Sequence, residues 1–555
     1  MRGVSSVAGA GPGSIVSPGR AALPARLGTA AFVAWQGAVV VLLMALAATS
    51  AIGYDEDQYV AAGVLARHLR PYADFVYLQP PLYPLLLAAV FGAADGHYVL
   101  AGRALTWALS VASCGALLGV LFRLGAGRAS AAALVSACLA SPFLIGPVAS
   151  TRNDILPLCL FLLGLGLYLR AEQRGRAAFA AAGLFFGLAV MAKLSYAFGP
   201  PVVLAHAFLA GGRGRVSLRA RAAPLAAGLC AAASPALYYL WIAPEGFLYG
   251  LLEYHLTAPI AWYTQEGQAD SLRADARADL LAQLLFHGSN GILVVLAVLL
   301  ALLRWTRRHE PVHHPAGDAA PPRLAEGLVL GLLAGALVCG FLPRPSWPQY
   351  YAPLAPLLAC WIAAQQTRVR ASGPRWILPF ATAAAALSTA LSLGPWADAL
   401  AKLPRTGEWA GVSANRNAVA VRETVRRAGG GEGDVATLFP TLVMDANPVR
   451  PEFASGPFFF RTSGALPPER VARLRGTGPH DLERLFAADP PAAIFAGVHA
   501  ARWRAPMDAA LVAYAERHGY ALAMSGASAA GATGGRLYVR PSATPAPRRV
   551  EDAPR

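Results

Sequence analysis

Three consecutive carboxylates, Asp55, Glu56 and Asp57, follow the first long apolar run of the chain within Tyr54-Asp55-Glu56-Asp57-Gln58-Tyr59. Only 14% of the residues are charged, so three acids at that point need a reason. A carboxylate where water meets lipid can take a proton from a hydroxyl, and a base is needed there if the other reactant is anchored in the membrane. The same residue types also cap helix N-termini, where acids complement the macrodipole. Further ionisable groups stand at the ends of other apolar runs. These are Arg152 and Asp154 in Thr151-Arg152-Asn153-Asp154, then Lys193, His255 and Arg344, with Tyr350 and Tyr351 close behind. Such groups are costly at a membrane boundary unless paired or wet, so several on one face imply a polar cavity.

The spans decide whether they share a face. A chain of 555 residues that is 56% hydrophobic lies outside the usual soluble range. Its net charge of +16 sits mainly in Arg clusters between apolar runs, at Arg123 and Arg128, Arg170 to Arg176, Arg213 to Arg221, Arg304 to Arg308 and Arg368 to Arg375. The alternate connections are poor in Arg, a positive-inside pattern rather than a nucleic-acid footprint. About eleven spans are expected, near 31–52, 98–121, 129–149, 154–171, 177–193, 194–211, 222–243, 288–304, 325–342, 350–367 and 376–396. Residues 1–30 then form a disordered cytoplasmic tail, and 31–396 the transmembrane domain of a multi-pass plasma (inner) membrane protein. The Pro80-Pro81-Leu82-Tyr83-Pro84 segment and the apolar stretch after it are too short to cross and read as interfacial or re-entrant.

All six cysteines, Cys114, Cys138, Cys159, Cys230, Cys339 and Cys360, fall inside expected spans and lack metal-ligand spacing. From about residue 397 the apolar runs shorten. Strand-like segments at 434–439 and 492–496 alternate with amphipathic stretches near 411–427, 467–475 and 507–518. The fold class expected is thus an all-α polytopic membrane protein carrying a small extracytoplasmic α/β domain over 397–540, with a disordered tail at 541–555. No Gly-rich phosphate loop follows a strand, and Gly429-Gly430-Gly431 reads as a turn.

The acidic pair after the first span, Pro71-Tyr72-Ala73-Asp74-Phe75, Gln79-Pro80-Pro81-Leu82-Tyr83-Pro84, Thr151-Arg152-Asn153-Asp154, Gly187 to Lys193 and Tyr350-Tyr351 occur in an order that resembles GT-C membrane glycosyltransferases. Within that superfamily the chain is most similar to the protein O-mannosyltransferase and aminoarabinose-transferase-like branch, family 39-like, over roughly 31–396. The resemblance implies a polyprenyl-phosphate sugar donor and transfer at the outer face to a protein, lipid or polysaccharide acceptor.

The residues suit that chemistry. Departure of the lipid phosphate builds negative charge that fixed cations or a divalent metal would stabilise. Attack by the acceptor hydroxyl from the opposite side would invert the anomeric centre and calls for a carboxylate base. Asp55 is the expected base, Glu56 would orient the acceptor or a metal, and Asp154 is the second carboxylate. Lys193, Arg152 and Arg344 are the expected phosphate contacts, with His255 and Tyr350 as further substrate contacts. A divalent metal is the one cofactor that this reading admits. The competing readings are a lipid-linked sugar transporter or flippase and a cell-envelope scaffold. A transporter would more often show internal repeats, which this chain lacks.

Overall fold

The computed structural model describes residues 19–211, 217–306, 323–372, 376–429, 433–498, 507–529 and 532–541. The expected N-terminal tail up to residue 18, Arg213 and Arg215, Arg307 and Arg308, Arg375, Gly430 and Gly431, and the C-terminal tail from 542 lie outside these residues.

Helix α1 (Gly19–Thr49) carries a 22-residue apolar stretch from Gly28, enough to cross a bilayer. After a short turn, α2 (Tyr54–Leu65) starts with all three acids in its first turn. Its N-cap is Gly53, which offers no side-chain acceptor, so the acids themselves complement the free amides. Helix α3 (Leu82–Phe91) has 10 residues, about 15 Å at a 1.5 Å rise, and packs against α2 and α4 (Tyr98–Arg123). It is too short to cross, as expected.

Every expected span falls on helix, but fewer are continuous rods. Among the described residues, four helices are long and apolar enough to cross: Gly28–Thr49, Tyr98–Arg123, Leu218–Ile242 and Gly288–Thr306. A fifth, Ile377–Ala390 with Gly394–Lys402, is bent by 56°. The segment at 129–149 divides into α5 (Arg128–Leu139) and α6 (Ile145–Ala149), and others, such as α7 (Ile155–Tyr168), are shorter apolar helices. The chain then passes through α8 (Ala171–Arg174) into α9 (Arg176–Ala192).

Close approach holds α9 to the helix Leu218–Ala232. A Cβ on Gly183 would lie 2.0 Å from the Leu225 carbonyl oxygen, and one on Gly228 2.0 Å from that of Ala180. Without small residues at these two points the backbones could not meet, the usual way apolar helices pack where lipid gives no hydrophobic drive. That contact fixes where α9 ends, and hence where Lys193 stands.

The C-terminal region folds around a four-stranded sheet in the order β1-β2-β4-β3. Strand β1 (Val435–Ala436) pairs in parallel with β2 (Ala493–Ala496), and β4 (Ala532–Val539) runs antiparallel to both β2 and β3 (Ala521–Ala529). Helices Ala410–Arg427, Pro468–Arg473 and Ala509–Arg517 lie where the amphipathic stretches are. Val421, Ile494, Phe495, Leu511 and Leu537 share its core.

This region docks on the loops that follow the first and seventh expected spans. Asp445 Oδ1 accepts from the Tyr98 amide at 2.9 Å, Asn415 donates to the Gly96 carbonyl at 2.8 Å, and Ser455 donates to the Val76 carbonyl at 2.8 Å. Arg470 holds both oxygens of Glu253 at 2.6 Å. The sheet region therefore lies on the same face as the three acids, in keeping with the even number of crossings expected between them. The six cysteines form no disulfide.

Candidate active site

Three helix ends meet beneath the C-terminal region: the start of α2, the start of α7 and the end of α9. At the first, Asp55 Oδ2 lies 2.7 Å from Arg152 Nη1, with the two side chains 29% and 19% exposed. Arg152 reaches back through Nε to Asp154 Oδ2 at 3.0 Å. The other oxygen of Asp154 takes the Lys193 ammonium in a buried ion pair. Lys193 faces the ring of Tyr350, 5.3 Å from its centroid. The result is one chain of alternating charge, Asp55, Arg152, Asp154 and Lys193, closed by an aromatic face.

The local sequence explains this arrangement. Asp154 is the N-cap of α7, yet its carboxylate makes no cap hydrogen bond because both cations draw it aside. Lys193 is the first residue past α9 and adopts an extended backbone, which suits a cation at a helix C-terminus. Asn153 ties the elements together. It accepts from Tyr59 Oη at 2.7 Å and donates at 3.2 Å to both Gln79 Oε1 and the Ala192 carbonyl.

Glu56 and Asp57 turn away from this chain. Arg103, one and a half turns inside α4, clasps both oxygens of Glu56 at 2.8 and 2.7 Å and donates to the carbonyls of Ala47, Ser50 and Ala51. The Thr151 amide adds a bond at 2.9 Å. Burial would raise the Glu56 pKa, but Arg103 and Thr151 outweigh it and hold the carboxyl below its ordinary range.

Asp57 accepts from the Thr441 amide at 3.1 Å and from its hydroxyl at 2.5 Å. Burial pushes Asp57 up to about 8 against those two bonds, with the Glu56 and Asp55 carboxylates adding to the rise. The folded protein thus keeps a proton that the unfolded chain releases near the ordinary 3.8. The stability this proton carries is fully present below about pH 4 and is lost as pH rises through about 8. Asp57→Asn should flatten that decline in the thermal midpoint. Parallel curves for the variant and the parent would show that Asp57 does not titrate there.

Comparison with known proteins gives this geometry a frame. The profile of glycosyltransferase family 87 matches residues 77–320. The crystal structure of ArnT from Cupriavidus metallidurans bound to undecaprenyl phosphate superposes with a TM-score of 0.58 at 15% identity, covering 92% of this chain and 98% of that one. The apo structure gives 0.56 at 16% identity, covering 93% and 98%. No curated protein matches by sequence.

The chain thus shares the fold of ArnT, and under half of it matches the family 87 profile. The sequence motifs resemble a family 39-like branch, whereas the matching profile is that of family 87.

This fold brings together Asp55, Arg152, Asp154, Lys193 and Tyr350 of the expected site and leaves three residues in other settings. Glu56 has no oxygen to spare for an acceptor or metal, since Arg103 and Thr151 occupy both. His255 donates through Nε2 to the Leu78 carbonyl at 2.7 Å. Burial pushes its imidazole below the ordinary value against that bond, and the Lys193 ammonium pushes it further, so it is no cation for a phosphate at neutral pH. Arg344 is exposed and makes no ion pair among the described residues. Two members were missed in the sequence: Arg103, whose signal was a lone charge inside an apolar span, and Tyr59, which carried no signal beyond its place after the acids.

Proposed function

We propose that the chain transfers a sugar from a polyprenyl-phosphate donor to an envelope or protein acceptor at the outer face of the plasma membrane, with inversion at the anomeric carbon. The observation that carries this reading is the Asp55–Arg152–Asp154–Lys193 chain at the converging ends of α2, α7 and α9. It sits in a GT-C fold similar to that of a protein solved with undecaprenyl phosphate.

In this reading Asp55, the most exposed carboxylate of the group, accepts the proton as the acceptor oxygen bonds to the anomeric carbon. The anomeric carbon–oxygen bond to the phosphate breaks, and the leaving lipid phosphate keeps the electron pair. Arg152 fixes the Asp55 carboxylate on one side and offers the exposed edge of its guanidinium to the phosphate on the other. Asp154 holds Arg152 and Lys193 in place, and Tyr350 covers the ammonium.

The donor set does not suit a divalent metal. Arg152 bridges Asp55 and Asp154, Lys193 takes the remaining oxygen of Asp154, and no group of three His, Cys, Asp or Glu ligands gathers among the described residues. Oxygen-rich cages are what such ions need. No step is therefore routed through a metal.

Lys193→Gln tests the phosphate contact. It keeps much of the aliphatic stem while removing the charge, so insertion should survive. Titration with the polyprenyl-phosphate sugar should show a loss of about 1–3 kcal/mol relative to the parent, with binding of bare polyprenol unchanged. Equal affinity of the variant and the parent for the phosphorylated lipid would restrict Lys193 to holding Asp154.

A further inference from the structure

Asp55, Glu56 and Asp57 are consecutive on one helical turn, so their side chains leave the α2 axis about 100° apart. They have three different partners. Asp55 meets Arg152, Glu56 is held by Arg103 in the membrane bundle, and Asp57 is held by Thr441 of the C-terminal region. One anchor at Glu56 fixes the position of the helix start but leaves rotation about that point open. A second anchor on another side removes the rotation.

We infer that Thr441 is a positioning residue for Asp55, acting through Asp57. This rests on Asp55 being the base. Thr441 lies 384 residues along the chain from Asp57, in the short helical turn Pro440–Leu442, and is fully buried. Both its amide and its hydroxyl converge on the same oxygen, Oδ1, which sets the carboxyl more tightly than one bond would. Its neighbour Phe439 packs on Tyr54, the first residue of α2, with ring centroids 5.6 Å apart. A Cβ on Gly456 would lie 3.4 Å from the Asp57 Cβ, so the C-terminal region also closes on this side chain from a second segment. With Asp57 pushed up to about 8, the anchor at neutral pH is mainly a neutral hydrogen-bonded contact and adds little charge beside Asp55. The C-terminal region thus orients the base as well as covering the site.

The test uses the full-length protein in lipid vesicles with a labelled polyprenyl-phosphate sugar, and turnover is normalised to folded protein. A displacement of about 1 Å can cost on the order of 10²-fold in rate, so loosening one of two bonds should cost about tenfold. Thr441→Val should lower kcat by that amount with donor KM unchanged, and Thr441→Ser should restore it. Asp57→Ala should lower kcat similarly, and adding Thr441→Val to it should cost nothing further, because both act through one contact. Turnover like that of the parent in Thr441→Val, failure of Thr441→Ser to restore it, or independent losses in the double variant would overturn the inference. If Thr441→Val does not fold, Asp57→Ala and Thr441→Ser decide it. An Asp55→Asn control separates the two layers. If that variant stays active, the assignment of the base fails; if it is inactive while Thr441→Val is fully active, only the positioning role fails.

Discussion

Replacing Asp55 with Asn should lower sugar transfer by about 10²–10⁴-fold while donor binding changes little. Asn keeps the size of the side chain and can still accept a hydrogen bond from Arg152, but it cannot take the acceptor's proton. The choice of Asp55 over its neighbours follows from their partners. Glu56 is held through both oxygens by Arg103 and Thr151, and Asp57 is held through Oδ1 by Thr441 of the C-terminal region. Asp154 is buried between two cations. Only Asp55 joins partial exposure to a fixed orientation. Initial rates at saturating donor and acceptor check this, with donor affinity measured separately. Near-parental rates would reduce Asp55 to a helix-start acid and direct the search to Asp154.

The largest expected effect on stability is at Arg103. Its guanidinium meets Glu56 in a two-pronged pair with both side chains almost wholly buried, and it also satisfies carbonyls in and just after the last turn of α1. Arg103→Leu would leave the Glu56 carboxylate buried without its partner, which costs about 3–5 kcal/mol. The fall should appear in the thermal midpoint in detergent and in the midpoint of denaturant titration. Glu56→Leu in the same chain should recover part of the loss by removing the stranded charge, though not the part due to the α1 carbonyls. Arg103→Lys keeps the charge but not the fork, and should fall between Arg103→Leu and the parent. A loss below about 1 kcal/mol for Arg103→Leu, the scale of an exposed pair, would contradict the structural role given to Glu56.

Much of this helical architecture was legible because long apolar runs report directly on where helices lie. Continuity was not. Residues 129–149 carry no charge, yet the helix breaks between Leu139 and Ile145, at Ser141-Pro142, a breaker that a reading by apolar run length passes over. In the C-terminal region β1 and β2 stand out as Val, Ile and Phe runs. Strand β3, built of Ala521-Leu522-Ala523-Met524-Ser525-Gly526-Ala527-Ser528-Ala529, has little β propensity and owes its state to pairing with β4.

The site divides in the same way. Asp55, Arg152, Asp154 and Lys193 were visible as charges at the ends of apolar runs, where only pairing or water can hold them. Sequence groups connections by alternation but gives no distance between them, so Arg344 and His255 were expected beside the acids and yet neither joins the ion-pair chain. Arg103 had a signal in its unlikely place inside a span. Thr441 had none, because its contact with Asp57 depends on how a distant region docks.

Transfer from a lipid phosphate can be read in a reconstituted system. Purified protein in vesicles is given a labelled polyprenyl-phosphate sugar together with an envelope extract as acceptor source. Label should pass to acceptor, free polyprenyl phosphate should accumulate in equal amount, and Asp55→Asn should stop both. Movement of the intact labelled lipid between leaflets, with no polyprenyl phosphate released, would contradict transfer and identify the chain as a transporter.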